Sequence, residues 1–108
     1  MQISTLQADS HQYARARGFW EPDADDEARA RREAVAIALI ASEAFEALDA
    51  HRKTPAGELH SEAMEDEIAD CVIRCCDFAG ALGFSLERAI YRVQEKSRDR
   101  PRLHGKRY

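Results

Sequence analysis

The chain has 108 residues, of which 44% are hydrophobic and 33% are charged, and its formal net charge is −4. This composition is typical of one soluble globular domain and excludes an intrinsically disordered chain. A small negative net charge also argues against direct nucleic-acid binding by the molecule as a whole. No apolar run is long enough for a membrane span, and the N-terminus lacks a signal-peptide pattern. We therefore expect a cytoplasmic protein without a membrane partner.

Helical patterns follow one another along the chain, and no useful stretch alternates apolar and polar residues as a strand does. Gly18, the Pro55–Gly57 turn and Gly83 separate the patterns, because glycine and proline end helices. The predicted helices are Ser4–Arg17, Glu27–His51, Glu58–Leu82 and a fourth that follows the N-cap Ser85 and ends near Arg98. Short connections favour antiparallel neighbours, so we predict an all-α four-helix bundle in a single domain, residues 1–108.

The second predicted helix contains an unusually apolar stretch. Between Ala34 and Leu48, Glu43 and Glu46 are the only charged residues. A helix that is apolar on nearly every face is expected to be largely buried. Three other short helices cannot cover so many apolar faces, so we expect oligomerisation, as a homodimer or a tetramer, to complete the bundle.

The third predicted helix has an apolar seam beside a charged stripe. The seam consists of Met64, Ile68, Cys71, Cys75, Phe78 and Leu82, and the stripe consists of Glu67, Asp70, Arg74 and Asp77. The chain has three cysteines, all in this helix, and their odd number argues against a disulfide framework. We interpret them as reduced core residues, which agrees with a cytoplasmic location.

Two pairs of acids carry the strongest functional signal. Glu43 and Glu46 are three residues apart, and so are Glu67 and Asp70, with 20 residues between the pairs. Acids at this spacing project from one side of a helix, and buried carboxylates need compensating charge. Oxygen ligands alone favour Mg²⁺ or Mn²⁺ over zinc. The alternative for Glu67 and Asp70 is an ordinary solvated stripe.

The C-terminal part of the chain is basic. Residues 91–108 contain seven lysines and arginines against two acids, and the irregular tail, about residues 99–108, follows the last helix. An acidic middle and a basic end suit a site that holds a metal together with the phosphates that the metal chelates. Lys96, Arg100 and Lys106 are candidates for phosphate contact, although a frayed basic tail explains Lys106 equally well.

At this point the chain resembles the all-α nucleoside triphosphate pyrophosphohydrolases, the MazG-like group, and in particular its short, often phage-borne members. The ordered pair ExxE and ExxD is that group's signature. Four longer strings are also similar: SHQYARARGFW, ALIASEAFEALDAHR, EDEIADCVIRCCDFAGALG and the closing RPRLHGKRY. The resemblance covers nearly the whole chain.

The resemblance implies a function and a set of site residues. Glu43, Glu46, Glu67 and Asp70 take the metal-ligand positions, and either Glu43 or Glu46 orients or deprotonates the attacking water. The implied substrate is a ribo- or deoxyribonucleoside triphosphate, cleaved to a monophosphate and pyrophosphate with Mg²⁺ as cofactor. The implied cellular role is control of the nucleotide pool or removal of aberrant nucleotides.

Other positions of the likeness are open to two interpretations. Trp20 either stacks on a nucleobase or anchors the core, and His11 and Arg17 either contact the ligand or lie on the surface. His104 is structural or lies near the phosphates. The chain also departs from many relatives, with Ser42 where they carry a first acid, and with Val93 and Ser97 where they carry lysine and asparagine.

Three rival interpretations remain at the level of sequence. One is an enzyme of the same fold that acts on a phosphoribosyl-nucleotide. Another is a non-catalytic helical module whose acids bind a structural metal or pair with the basic tail. A carboxylate-bridged redox metal bundle is disfavoured, because neither acidic motif supplies the Glu-x-x-His pair that such centres use.

Overall fold

The computed structural model describes residues 1–107, which form four α-helices and one short 3₁₀ turn. The helices are α1 (Ile3–Ala16), α2 (Asp26–Arg52), α3 (Glu62–Leu82) and α4 (Leu86–Arg98), and the 3₁₀ turn spans Arg102–Gly105. Residues 1–107 contain no strand, which confirms the prediction of an all-helical fold. Over the same residues, none of the helices is both long enough and apolar enough to cross a membrane.

Side-chain caps fix where three of the helices begin. Asp25 accepts a hydrogen bond from the backbone N–H of Ala28 at 2.7 Å, and Ser85 accepts one from Arg88 at 3.2 Å. These caps satisfy backbone donors that have no partner inside the helix. The predicted start of the third helix at Glu58 is wrong. The hydroxyl of Ser61 caps the N–H of Met64 instead, so α3 begins at Glu62.

Helix α3 is the centre of the packing. Helices α1 and α2 both pack against it, and α4 packs against α1. The side chain of Gln7 in α1 holds the turn between α3 and α4, because its amide donates to the carbonyl of Phe84 and accepts from the N–H of Leu86. This arrangement brings the acids of α2 next to those of α3.

The tightest packing lies where α1 crosses α3. Cys76 and Ala79 of α3 are 1% and 0% exposed, and Ser10 of α1 is 8% exposed. A Cβ atom added at Gly80 would lie 2.6 Å from the Cβ of His11. The absence of a side chain at Gly80 therefore sets how closely the two helices approach, and it places His11 beside α3.

Helix α2 is much less buried than its apolar composition predicts. Val35, Ile37 and Phe45 are 57%, 54% and 71% exposed, and only Glu43 and Ala47 of this helix are buried. The reason is geometrical, since α3 covers one side of α2 and leaves its other apolar faces open. The apolar seam predicted for α3 is likewise incomplete, because Ile68 and Leu82 are about half exposed while Cys76 and Ala79 form the core.

The three cysteines are free thiols, as the sequence predicted. Cys76 is buried, and Cys71 and Cys75 are half-buried between α3 and its neighbours. Burial raises the pKa of the Cys75 and Cys76 thiols above its ordinary value, because a thiolate is poorly solvated there. These thiols therefore stay protonated and serve as small apolar side chains.

Candidate functional site

Three carboxylates converge between α2 and α3. Glu43, Glu46 and Glu67, here called the carboxylate trio, each offer one oxygen, and these oxygens lie within 4.8 Å of one another. The spacing of Glu43 and Glu46 places both on the side of α2 that faces α3, where Glu67 meets them. An all-oxygen donor set of this kind fits a hard divalent cation such as Mg²⁺ or Mn²⁺.

The electrostatics of the trio suit a divalent cation. The nearby Glu43 carboxylate, partial burial and Glu46 raise the pKa of Glu67 to about 7. Carboxylates this close cannot all ionise without mutual repulsion, so one of them retains a proton near neutrality. A bound divalent cation would remove that repulsion and release the proton.

Glu43 is the buried member of the trio and has a charged partner. Glu43 is only 6% exposed, and its Oε1 accepts a hydrogen bond of 2.6 Å from Nε of Arg74. The guanidinium of Arg74 lowers the pKa of Glu43, which therefore stays ionised. Sequence reasoning placed Arg74 on the charged stripe of α3 and missed this role, because the pairing joins residues on different helices.

Asp70 lies outside the trio. Its side chain is exposed, and it lines a cavity of about 240 Å³ with Glu43, Arg74 and Asp77. A separate open depression of about 380 Å³ borders Glu46, Glu67 and Lys53. The structure thus unites three of the four predicted metal ligands and places the fourth at the edge of an adjoining cavity.

A second cavity, mostly apolar, lies between α2 and α3 and is here called the aromatic cavity. Its volume is about 200 Å³, and its walls are Phe19, Trp20, Arg32, Val35, Ala36, Leu39, Arg74, Asp77 and Phe78. Arg74 borders both this cavity and the one that contains Asp70. The carboxylate trio and the aromatic cavity are therefore connected through the Glu43–Arg74 pair.

Trp20 is held firmly in the wall of the aromatic cavity. Its Nε1 donates to both carboxylate oxygens of Asp77 at 2.9 Å, and the guanidinium of Arg32 lies 5.0 Å from its ring centre. Its backbone has a φ of 63°, which is uncommon for a bulky residue. These contacts hold the indole ring despite the unfavourable backbone conformation.

Asp77 connects Trp20 to helix α1. Nδ1 of His11 lies 3.0 Å from Oδ1 of Asp77, and both side chains are about one-fifth exposed. The predicted site residue His11 is therefore a partner of Asp77. Arg17 is placed differently, since its guanidinium lies 4.5 Å from the ring centre of Tyr13 on the surface of α1. Asp77 was noted in the sequence only as a member of the charged stripe.

The basic residues predicted to contact substrate lie on α4 and the segment after it. Lys96 is exposed on α4, Arg100 lies 3.2 Å from Nδ1 of His104, and Lys106 follows the 3₁₀ turn. Leu103 and His104 both have positive φ values in that turn. Within residues 1–107, none of these four basic side chains lines the aromatic cavity or joins the carboxylate trio.

No protein-family model, curated protein or solved structure matches this chain. The site is therefore interpreted from its own geometry together with the resemblance of its motifs.

Proposed function

We propose that the protein hydrolyses a ribo- or deoxyribonucleoside triphosphate to the monophosphate and pyrophosphate, with Mg²⁺ or Mn²⁺ as cofactor. The observation that carries the proposal is the carboxylate trio of Glu43, Glu46 and Glu67, in contact through Arg74 with an aromatic cavity. The trio offers oxygen ligands for a cation that also binds phosphates, and the aromatic cavity offers walls for a planar base. The ExxE and ExxD motifs support the same assignment.

The residues of the trio have separable roles in this reaction. Glu43 and Glu67 would hold the cation at the buried side, while the exposed Glu46 accepts the proton of the attacking water. The bound cation supplies charge neutralisation and a lower pKa for water. As the water oxygen bonds to phosphorus, the bond to the bridging oxygen breaks and pyrophosphate leaves with that electron pair. Asp70 faces the adjoining cavity, where it can complete the ligand set once substrate is bound.

The aromatic cavity is the proposed position of the nucleobase. Trp20 and Phe78 offer flat apolar surfaces, and stacking of a base on an aromatic side chain is worth about 1–3 kcal/mol. Arg32 also lines this cavity, and its guanidinium lies 5.0 Å from the ring centre of Trp20. His11 contributes indirectly, since it contacts Asp77, which positions Trp20.

We further propose that a homodimer, or a tetramer, completes the four-helix bundle and covers the exposed apolar faces of α2. The open faces of this helix carry Val35, Ile37 and Phe45, each more than half exposed. Large exposed apolar patches are typical of protein interfaces. The cellular role that the resemblance implies is control of the nucleotide pool or removal of aberrant nucleotides.

The test is a panel of ribo- and deoxyribonucleoside triphosphates incubated with Mg²⁺ or Mn²⁺, with separate detection of pyrophosphate and orthophosphate. We expect pyrophosphate and the monophosphate in equal amounts from at least one substrate. Asp70→Asn serves to test the fourth ligand and should lose most turnover, while Asp66→Asn, a neighbouring exposed acid of α3, should not. Absence of pyrophosphate above background for every nucleotide would refute the proposal.

A second candidate function is a non-catalytic helical module whose acids serve in ion pairs. The contact that favours it is the 2.6 Å Arg74–Glu43 bond, which already neutralises one carboxylate without a metal. This module would bind neither Mg²⁺ nor Mn²⁺ at millimolar concentration, whereas the enzyme would bind at least one of them. Calorimetry with each ion therefore separates the two candidates.

A further inference from the structure

We infer that Arg74 is a specificity-determining residue, which makes the carboxylate trio select a metal–polyphosphate complex over the free metal ion. This inference rests on the proposed function, because it concerns how the same site distinguishes its ligands. The motif resemblance assigns Arg74 no role, and the stripe on which it lies in the sequence did not indicate one.

The geometry places one guanidinium between the two halves of the site. Nε of Arg74 donates to Oε1 of Glu43, and the two terminal nitrogens of the guanidinium carry four further N–H donors. The same side chain lines the aromatic cavity and the cavity that contains Asp70, and it is 41% exposed. A ligand that enters either cavity therefore meets the guanidinium beside Glu43.

The charge of Arg74 has opposite effects on two ligands. A free divalent cation held by Glu43 lies close to the guanidinium, so the two positive charges repel each other and metal binding is weakened. A cation that arrives with a polyphosphate brings negative oxygens, to which the terminal nitrogens of Arg74 can donate charge-assisted hydrogen bonds. The same arginine thus penalises the free ion and stabilises the complex, and it couples metal binding to phosphate binding.

The pairing also keeps Glu43 in place when no ligand is bound. A carboxylate that is 6% exposed needs compensating charge, and Arg74 supplies it through a fixed fork that lysine cannot reproduce. Glu43 is consequently held ionised and oriented toward Glu46 and Glu67 before a cation enters. The site is ready to accept a cation without rearranging this ligand.

The experiment measures two binding constants by calorimetry, with Mn²⁺ alone and with inorganic tripolyphosphate at saturating Mn²⁺ as probes. We expect Arg74→Gln to bind Mn²⁺ alone about tenfold more tightly, because one repelling charge is gone. The same variant should bind Mn²⁺–tripolyphosphate at least tenfold more weakly, since charge-assisted contacts are lost. Opposite signs of the two changes are the expected result.

Two further variants make the result specific. Arg74→Lys keeps the charge, so its affinity for Mn²⁺ alone should stay near that of the wild type while tripolyphosphate affinity is only partly retained. This variant also keeps the test valid if Arg74→Gln folds poorly. Arg31→Gln removes an exposed arginine of α2 that pairs with Glu27 and should change neither constant by more than about twofold.

Three outcomes would overturn the inference. Equal loss of both affinities in Arg74→Gln would assign Arg74 a purely structural role beside Glu43, and two unchanged affinities would assign it no role in binding. A wild-type protein that binds neither probe would overturn the inference together with the proposed function. If the opposite changes occur but no nucleotide yields pyrophosphate, the proposed hydrolysis fails while the ligand selectivity of Arg74 stands.

Discussion

Glu43 and Glu67 belong to the same carboxylate trio, but their pKa values are shifted in opposite directions. Arg74 lowers the pKa of Glu43, whereas the neighbouring carboxylates and partial burial raise that of Glu67 to about 7. The single guanidinium therefore determines which acid stays charged and which retains a proton. Without a bound cation, Glu43 contributes to stability through its ion pair and ionised Glu67 reduces it.

A pH dependence of stability follows from Glu67. Its folded-state pKa of about 7 is above the ordinary value of 4.5, so the folded protein binds more protons between these values. The stabilising contribution of protonated Glu67 is complete below about pH 4.5 and is lost as the pH rises through 7. In chelator, thermal unfolding should therefore show wild type losing stability relative to Glu67→Gln between pH 5 and 8. An equal change with pH in both proteins would contradict this prediction.

Removing one charge from the trio should change the stability of the protein in opposite directions at Glu43 and at Glu67. From the sequence alone, loss of any acid from the cluster is expected to relieve repulsion. In the structure this holds for Glu67→Gln, which should raise stability in chelator at pH 8. Glu43→Gln removes the partner of Arg74 and should lower the stability under the same conditions. Denaturant unfolding of both variants with and without Mg²⁺ checks the signs, and stabilisation by Glu43→Gln would show that the ion pair is not important.

Gly80 offers a test of the packing between α1 and α3. In a helix interior, alanine is normally more stabilising than glycine by about 1 kcal/mol. At this position the new Cβ would lie 2.6 Å from the Cβ of His11, an atom that cannot move without the α1 backbone. Gly80→Ala should therefore destabilise the protein by about 1–3 kcal/mol, measured by urea unfolding. Increased stability would mean that α1 and α3 are less closely packed than the contact indicates.

At the scale of elements, the tail that follows α4 is the segment proposed to contact substrate without holding the metal. Arg100 contacts His104, and Lys106 is exposed, so these groups are available to a polyphosphate if the segment closes over the site. The carboxylate ligands are on α2 and α3, which are separate from this segment. Substrate contact and metal binding should therefore respond differently to its removal.

Deletion of residues 100–108 should weaken binding of the substrate much more than binding of Mn²⁺. Charge-assisted contacts to phosphate are worth roughly 1.5–3 kcal/mol each, so losing two should raise KM on the order of a hundredfold or more. High salt should reproduce part of this effect in the intact protein, since exposed ion pairs are screened. An unchanged KM after the deletion would assign the tail to packing between subunits.

At the scale of the whole molecule, the exposed surface is larger than a chain of this size normally has. The described residues expose 8662 Å², whereas a monomer of this mass typically exposes about 6,100 Å². The difference is about 2,600 Å² per chain, or about 5,200 Å² for two chains, which is at the upper end of the total area that obligate homodimers bury. Such an interface would form on the exposed apolar residues of α2.

Light scattering at micromolar concentration should therefore give a mass of at least twice the 12.2 kDa of one chain. Phe45, which is 71% exposed on α2, is the side chain to change. Phe45→Lys should shift the mass toward that of the monomer, because a charge placed in an apolar interface is costly. Tyr91→Lys on α4 replaces an aromatic residue that is 64% exposed and serves as the control. A wild-type mass near 12 kDa would refute the oligomer.

The extent of each helix was largely determined by short-range sequence patterns. Gly18, Gly83 and the caps Asp25 and Ser85 act through hydrogen bonds and backbone freedom within a few residues, so their effects can be read from local sequence. The start of α3 could not be read in this way, because Glu58 and Ser61 both fit a helix start and only the folded chain selects Ser61 as the cap. The placement of Glu43 and Glu46 on one side of a helix likewise depends only on helical spacing.

The contacts between helices were decided by the tertiary structure. The sequence predicted that two pairs of acids, Glu43 with Glu46 and Glu67 with Asp70, converge. It gave no reason to separate Asp70 from the other three or to choose Arg74 as the partner of Glu43. Which side chains meet depends on the rotation of α2 relative to α3 and on the distance between the two helices. Both are set by the small residues where helices cross and by the apolar faces that pack together. The sequence likewise left two interpretations open for Trp20 and for His11. Only the fold shows that Asp77 joins them, because the three residues lie on different segments of the chain.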